Sequence, residues 1–401
     1  MSHLFCYAFA LLRFYAGAPL LIAVAVHVML IIAFNLMQIS KPVEKFAVIM
    51  AGGVGTRFWP MSRTSKPKQF LDILGTGRSL IQMTFDRLSS VVPPSNILVV
   101  TNELYRSDVA SHIPSIPPKN ILCEPCMRNT APCIAYANAV ISRRVESSGI
   151  DACDVGIIVA PSDHLILNEP EFDRIISLAL LEATSTTSLV TLGIKPTRPD
   201  TGYGYIKFSG SNSTGDRTSE IASVDHFTEK PDLETANGFL KEGGYCWNSG
   251  IFVWSLANIS NEFSMHLSDI STAFEGVEFS GNAGEADEIY TSCESISIDY
   301  GILERASSVS VIPCDFGWSD LGTWTSLATH LPKDSSGNSS SGVDLMISES
   351  ANNIVVGADS KKIIALRGLN DFIVVDTQDA LLVCPKSDEQ WVKVLVGKLT
   401  K

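Results

Sequence analysis

The sequence has few of the features that mark a secreted or a nucleic-acid-binding protein. Its nine cysteines are scattered over 401 residues without a paired framework, a pattern that favours a reducing compartment over secretion. The chain also lacks excess positive charge, because its formal net charge is −13. Without a general basic surface it is poorly suited to nucleic acid, so any phosphate ligand must be held by a local site.

One short cysteine spacing, Cys123 and Cys126 in "CEPC", raises the question of a metal or redox site. The sequence has no second pair at metal-ligand spacing, and Cys133 falls in a helical pattern. Free cysteine is most often buried as a small apolar residue. We therefore interpret these cysteines as core residues.

Charged residues are absent from Phe14 to Ile39, so the first forty residues are set apart as an apolar extension, residues 1–40. This segment is long enough to span a bilayer or to act as a signal. A complete domain pattern begins directly after it, and Met37 lies just upstream. We expect translation to begin at Met37; the alternatives are an inner-membrane anchor and a cleaved signal. A membrane partner is expected only if residues 1–36 are translated.

Short apolar runs alternate with helical patterns from Phe46 onward. The runs "FAVIMA", "NILVVT", "NILCEP" and "VGIIVAP" predict strands, and "TAPCIAYANAVISRRV" predicts a helix with one apolar face. Such alternation indicates a parallel sheet covered on both faces, with ligands at the carboxyl ends of its strands. Beyond about Ser188, polar and aromatic residues interrupt the strands, which predicts a mixed sheet and the second wall of a cleft.

The chain divides, on these patterns, into a core domain at 41–331, a linker at 332–347 and a small β-rich module at 348–401. The linker is inferred from "KDSSGNSSSG", which is flexible by composition. The strand-like runs after it recur about every nine or ten residues, which suggests a small strand module or a β-helix. We see no catalytic grouping in this module.

Three glycines follow the first strand in "AVIMAGGVGTRFWPMSRTSKPKQF", at Gly52, Gly53 and Gly55. They free backbone N–H groups to approach a phosphate, while Thr56 adds a hydroxyl and Arg57 a planar cation that can bind two oxygens. The loop matches neither the Walker A motif nor the dinucleotide pattern. Glycines alone would be a turn, but the fixed order of Arg, Trp, Pro, Ser, Lys and Gln after them favours a phosphate-binding loop.

The loop resembles the signature of bacterial mannose-1-phosphate guanylyltransferases, in the sugar-nucleotidyltransferase superfamily. Further segments that are similar to this family recur in its order, and together they cover residues from about Phe46 to Thr325. These segments are "EPCMRNTAPC", "APSDH", "LGIKPTRPDTGYGYI", "FTEKP", "WNSGIF" and "FGWSDLGTW". The resemblance implies a Rossmann-like α/β nucleotide-diphospho-sugar transferase fold with a mixed central sheet, followed by the short C-terminal β module.

Two aspartates, Asp163 and Asp320, follow predicted strands and are candidates for a metal site. Mg²⁺ prefers one or two carboxylates together with phosphate oxygens and water. Either aspartate alone could equally be a capping or turn residue. The resemblance favours the Mg²⁺ interpretation, and it makes Arg57, Lys68, Asp163 and Asp320 the candidate catalytic residues. His164 is interpreted as structural, since an ionised phosphate nucleophile needs no general base.

The resemblance also implies two binding subsites. Arg128, Asn129 and Thr130 open a helix, so capping is their first interpretation, and family likeness adds the nucleobase and ribose. The nucleotide-binding candidates are Ala51, Gly52, Gly53, Gly55, Thr56, Arg57, Lys68, Arg128, Asn129 and Thr130. The sugar-phosphate candidates are Gly204, Glu229, Lys230, Asn248 and Gly250, for which an exposed ion pair and hairpin bends are the plain alternatives.

The implied reaction is GTP plus α-D-mannose 1-phosphate giving GDP-mannose and pyrophosphate, with Mg²⁺ as cofactor. A homodimer and a cytoplasmic location are expected, and no isomerase activity, because the C-terminal module lacks a His-rich metal pattern. Three rivals stand beside this prediction. They are a sister enzyme with another nucleotide or hexose, a non-catalytic sugar-nucleotide sensor and a membrane-anchored scaffold.

Overall fold

The structure is a computed structural model that describes residues 43–209, 220–275, 284, 286–358 and 361–399. The apolar extension at 1–40 and the proposed start at Met37 lie outside the described residues. Within the described ranges, no helix combines the length and the apolar character that crossing a membrane requires. The residues from Glu44 to Lys401 form one compact unit.

A nine-stranded mixed sheet forms the centre of this unit, as the alternating pattern predicts. Its spatial order is β3-β2-β1-β4-β9-β6-β10-β8-β7, and β7 also pairs with β9. Neighbours among β1 to β4 are parallel, as are β6 and β10, whereas β9 runs antiparallel to both β4 and β6. The strands are β1 (Glu44–Ala51), β2 (Ile97–Asn102), β3 (Ile121–Glu124), β4 (Val155–Pro161), β6 (Leu189–Ile194), β7 (Tyr205–Ser209), β8 (Ala222–Thr228), β9 (Tyr245–Ser255) and β10 (Val309–Cys314). Two short strands, β5 (Leu165–Ile166) and β11 (Trp318–Ser319), pair separately.

Helices cover both faces of the sheet, and several of their ends are capped. The first begins after Ser79, whose N–H donates to Gln82 Oε1 over 2.8 Å, and the third ends at Gly149 with φ +67°. The helices are α1 (Leu80–Ser89), α2 (Arg106–His112), α3 (Thr130–Ser148), α4 (Glu169–Ser185), α5 (Leu233–Glu242), α6 (Leu256–His266), α7 (Ser268–Phe274), α8 (Asp287–Ser292), α9 (Trp324–Ala328) and α10 (Trp391–Leu399). A single π-helical turn spans Asp299–Leu303.

Alternate residues of β1 enter two different cores, which explains why the strand is a continuous apolar run. Ala47 and Ile49 pack in the cluster on one face, and Phe46 and Val48 pack in the cluster on the other. Successive side chains of a strand point to opposite faces, so a strand buried on both sides must be apolar throughout. The expectation of a sheet covered on both faces is thus explained residue by residue.

The segment at 332–347, expected from its composition to be a flexible linker, contains two strands of the C-terminal β-helix. Asp334 accepts hydrogen bonds from the N–H groups of Ser336 and Asn338, each over 2.9 Å, and Asn338 is 2% exposed. The prediction of a flexible linker was wrong here because serine and asparagine are common both in flexible segments and in tight turns, where their side chains bond to the backbone. The module's strands are β12 (Ser339–Ser341), β13 (Asp344–Ser348), β14 (Ile354–Gly357), β15 (Ile363–Arg367), β16 (Phe372–Asp376) and β17 (Leu381–Pro385).

A third core joins the β-helix to the glycine-rich loop region. It contains Phe58 and Trp324, whose ring centroids are 4.8 Å apart, together with Ile373 and Val392 of the C-terminal module. At the surface, Arg63 Nη2 donates to both carboxylate oxygens of Asp379, over 2.8 and 2.9 Å. The C-terminal module is therefore packed against the loop through a continuous apolar core.

Candidate active site

The glycine-rich loop leaves the end of β1 and is held by bonds to its backbone. The carbonyl of Ala51 accepts from Gln69 Nε2 over 3.0 Å, and the carbonyl of Gly55 accepts from Ser62 Oγ over 2.6 Å. Gly55 itself has φ +70°, a conformation that favours glycine. The residues after the loop thus fix its shape, which gives "SRTSKPKQF" a structural role beside the predicted one.

Lys68 links the two aspartates predicted to bind a metal. Its Nζ donates to Asp163 Oδ2 over 2.9 Å and to the backbone carbonyl of Asp320 over 2.7 Å. The lysine is 3% exposed, so its ammonium is held by partners rather than by water. The structure therefore brings Lys68, Asp163 and Asp320 together, and a direct bond from Lys68 to a nucleotide phosphate stays a prediction.

We call the edge of the sheet that carries Lys68, Asp163, His164 and Asp320 the rim. The charge of Lys68 influences the protonation state of Asp163 there. Burial alone would raise the pKa of Asp163, but the opposing charge of Lys68 and the Lys68 hydrogen bond lower it below its ordinary value. His164 is desolvated, which lowers its pKa, and its Nδ1 accepts from Trp318 Nε1 over 3.2 Å. The rim thus carries an ionised aspartate beside a neutral imidazole, as fits a structural His164.

Tyr203, which no sequence motif had marked as a site residue, donates a hydrogen bond from its hydroxyl to Asp320 Oδ1 over 2.7 Å. Burial and then the charge of Asp320 raise the pKa of Tyr203 well above its ordinary value, so the phenol stays a donor. The N–H of Gly322 donates to the same oxygen over 2.9 Å. Tyr203 lies within the segment "GYGYI", in which Gly204 was the only residue with a predicted role. These two donors orient the Asp320 carboxylate.

We expect Tyr203→Phe to lower turnover by about 10- to 100-fold, because a hydrogen bond to a charged group contributes about 1.5–3 kcal/mol. Steady-state kcat with and without the hydroxyl measures the effect. Tyr245→Phe is the matched control, since that hydroxyl makes only a 3.4 Å contact with Glu242 at the surface. Equal kcat for Tyr203→Phe and the wild type would contradict the orienting role.

Two cavities open at this rim and share Tyr203, Trp318 and Asp320 in their linings. The larger, of about 650 Å³, contains Arg57 and Lys230. The smaller, of about 230 Å³, is lined by the predicted sugar-side residues other than Lys230. Those residues are Gly204, Glu229, Asn248 and Gly250. The rim therefore provides one wide cleft, lined by charged residues of both signs, beside one narrow cavity.

The glycines of the small cavity allow close contacts. A Cβ atom on Gly204 would lie 2.5 Å from Glu229 Oε2, and Gly250 adopts φ +69°. Glu229 forms an ion pair with Lys230, and Lys230 is itself at φ +46°, an uncommon conformation for a residue with a side chain. The backbone here is thus shaped by these contacts, which single glycines in a sequence do not reveal.

Other predicted nucleotide residues have structural partners. Arg128 donates from Nε to the backbone carbonyl of Tyr290 over 3.0 Å and from Nη2 to that of Thr291 over 3.4 Å. Asn129 caps α3 through its side-chain oxygen, as its position suggested. Thr130 lines the small cavity. Arg128 therefore faces α8 in this structure, and its contact with a nucleobase stays a prediction.

Glu124, at the end of β3, is a buried carboxylate that was not among the predicted site residues. It is 5% exposed, and its Oε1 accepts from the hydroxyl of Tyr290 over 2.9 Å. A Cβ atom on Gly52 would lie 3.4 Å from its Oε2, so the acid lies against the glycine-rich loop. Burial raises the pKa of Glu124 to about 7, although the Tyr290 hydrogen bond opposes the shift.

This raised pKa predicts a loss of stability as pH rises. The unfolded side chain releases its proton near pH 4.5 and the folded one near pH 7, so the free energy of unfolding falls across that window by about 3 kcal/mol. Glu124→Gln is expected to remove this fall, as measured by urea unfolding at pH 5 and pH 8. The exposed Glu103→Gln should behave as the wild type. The same pH dependence in Glu124→Gln and the wild type would refute the prediction.

The candidate metal site consists of the carboxylates of Asp163 and Asp320. Among the described residues, no group of three or more histidine, cysteine or acidic side chains is placed to hold a metal. A structural ion bound wholly by protein needs more ligands than this, whereas Mg²⁺ held with substrate phosphates needs only one or two carboxylates. The arrangement is therefore compatible with a metal that arrives with a nucleotide.

The mixed sheet, the glycine-rich loop at the end of β1 and the paired aspartates on the same rim define a nucleotidyltransferase. Residues 46–336 match the nucleotidyl transferase family, and residues 345–399 match the mannose-phosphate isomerase/GMP-like beta-helix domain. The chain belongs to the mannose-1-phosphate guanylyltransferase family. The resemblance is confirmed, and of the two alternatives for the C-terminal module, a small strand module or a β-helix, the family match supports the β-helix.

Similar proteins come from several bacteria. Mannose-1-phosphate guanylyltransferase ManC of Salmonella typhimurium is 37% identical over 372 residues, covering 90% of this chain and 74% of the relative. Xanthan biosynthesis protein XanB of Xanthomonas campestris is 37% identical over 361 residues, covering 88% and 72%. A crystal structure from Thermus thermophilus, described as a mannose-1-phosphate geranyltransferase, superposes with a TM-score of 0.78 at 29% identity, over 89% of this chain and 100% of that one.

Proposed function

We infer that the protein transfers GMP from GTP to α-D-mannose 1-phosphate, which yields GDP-mannose and pyrophosphate. The observation that carries this inference is the 37% identity with the Salmonella guanylyltransferase over 90% of the chain. Its support in the structure is a rim where cations and carboxylates meet at the end of β1. The reaction needs both, because it joins two anions.

The transfer is a single displacement at the α-phosphorus of GTP. An oxygen of the sugar phosphate forms a bond to that phosphorus, and the bond from the α-phosphorus to the bridging oxygen of the β-phosphate breaks. Pyrophosphate leaves with the electron pair of that bond. The nucleophile is already ionised, so the protein must position two anions and offset their repulsion rather than remove a proton.

Cations in the larger cleft are the groups that would offset this repulsion. Arg57 lines the cleft, and its Nε is buried without a hydrogen-bond partner among the described residues. Lys230 lines the same cleft, with its side chain 61% exposed. We propose that Arg57 binds nucleotide phosphate and that Lys230 binds the sugar phosphate, while Lys68 holds Asp163 and the Asp320 backbone in place.

We propose Mg²⁺ as the cofactor, with Asp163 and Asp320 as its protein ligands. Both supply carboxylate oxygens, the donor type that Mg²⁺ prefers. Asp320 Oδ1 accepts from Tyr203 and Gly322, which leaves Oδ2 without a hydrogen bond from the described residues. When bound, the ion would supply positive charge to the phosphate oxygens. The residues themselves would fix where it binds.

A substrate panel tests the inferred function. Pyrophosphate release is measured for the full chain with Mg²⁺, with GTP, ATP, UTP and dTTP each combined with mannose 1-phosphate or glucose 1-phosphate. Release with GTP and mannose 1-phosphate far above all other pairs is the expected result. Strong release with another pair would move the protein to a sister enzyme, and no release from folded protein would favour the sensor.

We also propose a homodimer in the cytoplasm. The dimer is supported by apolar side chains that the β-helix leaves exposed, among them Met346, Ile363 and Leu381. The location is supported by the free thiols of the described cysteines other than Cys153. Light scattering on the purified protein tests the first proposal. Fractionation of cells tests the second, with recovery in the membrane pellet as the contradicting result.

A further inference from the structure

The small cavity contains a carboxylate that has no assigned role. Asp299 begins the π-helical turn and lines this cavity together with Glu229 and Asn248. Besides Asp320, the candidate metal ligand, the cavity therefore has two acids in its lining, Glu229 and Asp299, and only the first of these was predicted.

Asn248 fixes the orientation of this second acid. Its Nδ2 donates to Asp299 Oδ1 over 2.7 Å, and its own Oδ1 accepts from the N–H of Gly250 over 3.1 Å. The second bond settles which end of the amide faces Asp299. Among side chains of the described residues, Asn248 is the only donor to this carboxylate. One Asp299 oxygen is thus held while the other has no side-chain partner.

The backbone before Asp299 is also anchored. The N–H of Ile298 donates to Thr130 Oγ1 over 2.8 Å, and the N–H of Ala131 donates to the carbonyl of Ile296 over 3.1 Å. These bonds tie the segment to the first turn of α3. Positioned side chains on fixed backbone are what a specific binding site requires. Asp299 is therefore preorganised rather than free to turn away.

The chemistry of the cavity points to hydroxyl groups. Burial raises the pKa of Asp299, the Asn248 hydrogen bond opposes this, and the nearby charge of Glu229 adds to it. Glu229 and Asp299 would repel a phosphate, whereas neutral hydroxyls can donate to both carboxylates. The volume of about 230 Å³ is below the roughly 300–1,000 Å³ of sites for drug-sized ligands, which suits a single sugar ring.

We propose that Asp299 accepts hydrogen bonds from hydroxyls of the hexose ring and, with Glu229, determines which hexose 1-phosphate the enzyme uses. The proposal rests on the proposed function and adds a residue that reads the sugar. Hexose epimers differ in the direction of one hydroxyl, so a fixed acceptor can distinguish them. A site built to accept a hydrogen bond from the substrate discriminates strongly against an analogue that lacks the donor, because the acceptor in the site is then left unpaired.

Asp299→Asn tests the proposal with little change of shape. The expected result is a fall of about 10- to 100-fold in kcat/KM for mannose 1-phosphate, carried mainly by a higher KM for the sugar phosphate. The KM for GTP should stay within about twofold of the wild type. The ratio of kcat/KM for mannose 1-phosphate to that for glucose 1-phosphate should shrink. Glu304→Gln, an exposed acid five residues further on, is the matched control and should leave all four values unchanged.

Titration calorimetry with mannose 1-phosphate alone provides a second readout that does not need turnover. Weaker sugar-phosphate binding by Asp299→Asn at an unchanged melting temperature supports the proposal. An unchanged epimer ratio overturns it, and so does an equal loss for both sugars accompanied by a higher KM for GTP. If the wild type does not use mannose 1-phosphate but is active with another hexose phosphate, the proposed function fails. The ratio of kcat/KM for that hexose phosphate to that for its epimer, compared between Asp299→Asn and the wild type, then still decides the role of Asp299.

Discussion

Asp320→Asn is expected to lower kcat by about 10²- to 10³-fold at saturating Mg²⁺, the scale on which preorganised charge contributes to catalysis. Asp320 lines both cavities, and its backbone carbonyl accepts from Lys68. The substitution removes the charge but keeps an oxygen that can accept from Tyr203 and Gly322. The fold should therefore persist, which near-ultraviolet circular dichroism and the melting temperature would check.

Asp315→Asn is the control for this variant. Asp315 also lines the larger cleft but is exposed, so its loss changes the local charge without touching the Lys68 bridge. We expect its kcat to match that of the wild type within about twofold. If Asp320→Asn retained full kcat at saturating Mg²⁺, the proposed metal ligand would be wrong.

Gly55→Ala should damage both stability and activity. A residue with a side chain at φ +70° costs about 1–2 kcal/mol, and the new Cβ would collide with Lys68 Cβ and lie 3.2 Å from its Cδ. Lys68 would then be displaced from Asp163 and from the Asp320 carbonyl. Displacing positioned groups by about an ångström can cost on the order of 10²-fold in rate. Thermal unfolding and kcat/KM measure the two effects.

Gly53→Ala tests whether the loop backbone approaches a phosphate, without adding backbone strain. A Cβ there meets no atom within 4 Å, and Gly53 has no positive φ. The free energy of unfolding of this variant should change by less than about 0.5 kcal/mol, while the KM for GTP should rise if the loop backbone approaches a phosphate.

An unchanged melting temperature in Gly55→Ala would contradict the packing of Lys68 against Gly55.

The alternation of apolar runs made much of the fold predictable. Strands such as β1 and β4 are buried on both faces, so their sequence is apolar throughout and their type is clear. The β-helix was less predictable at its start, because Asp334 and Asn338 build a turn from residues that composition assigns to a linker. Local composition records residue types, whereas the turn depends on which side chain bonds to which backbone group.

The candidate site was predictable where the sheet determines it. The carboxyl ends of strands meet at one edge, so Asp163 and Asp320 could be expected near each other, and Lys68 does connect them. Pairs such as Tyr203 with Asp320 and Asn248 with Asp299 were not foreseen. Their partners are distant in sequence and belong to elements whose relative orientation no periodic pattern records.

The most direct test of the account follows the phosphorus atom that is transferred. The full chain is incubated with Mg²⁺, mannose 1-phosphate and GTP labelled either at the α-phosphate or at the γ-phosphate, and the products are separated. We expect the α-label to appear in GDP-mannose and the γ-label to appear in pyrophosphate in equal amount. Label found instead in GMP or GDP and inorganic phosphate, or retained in GTP by folded protein, would contradict it.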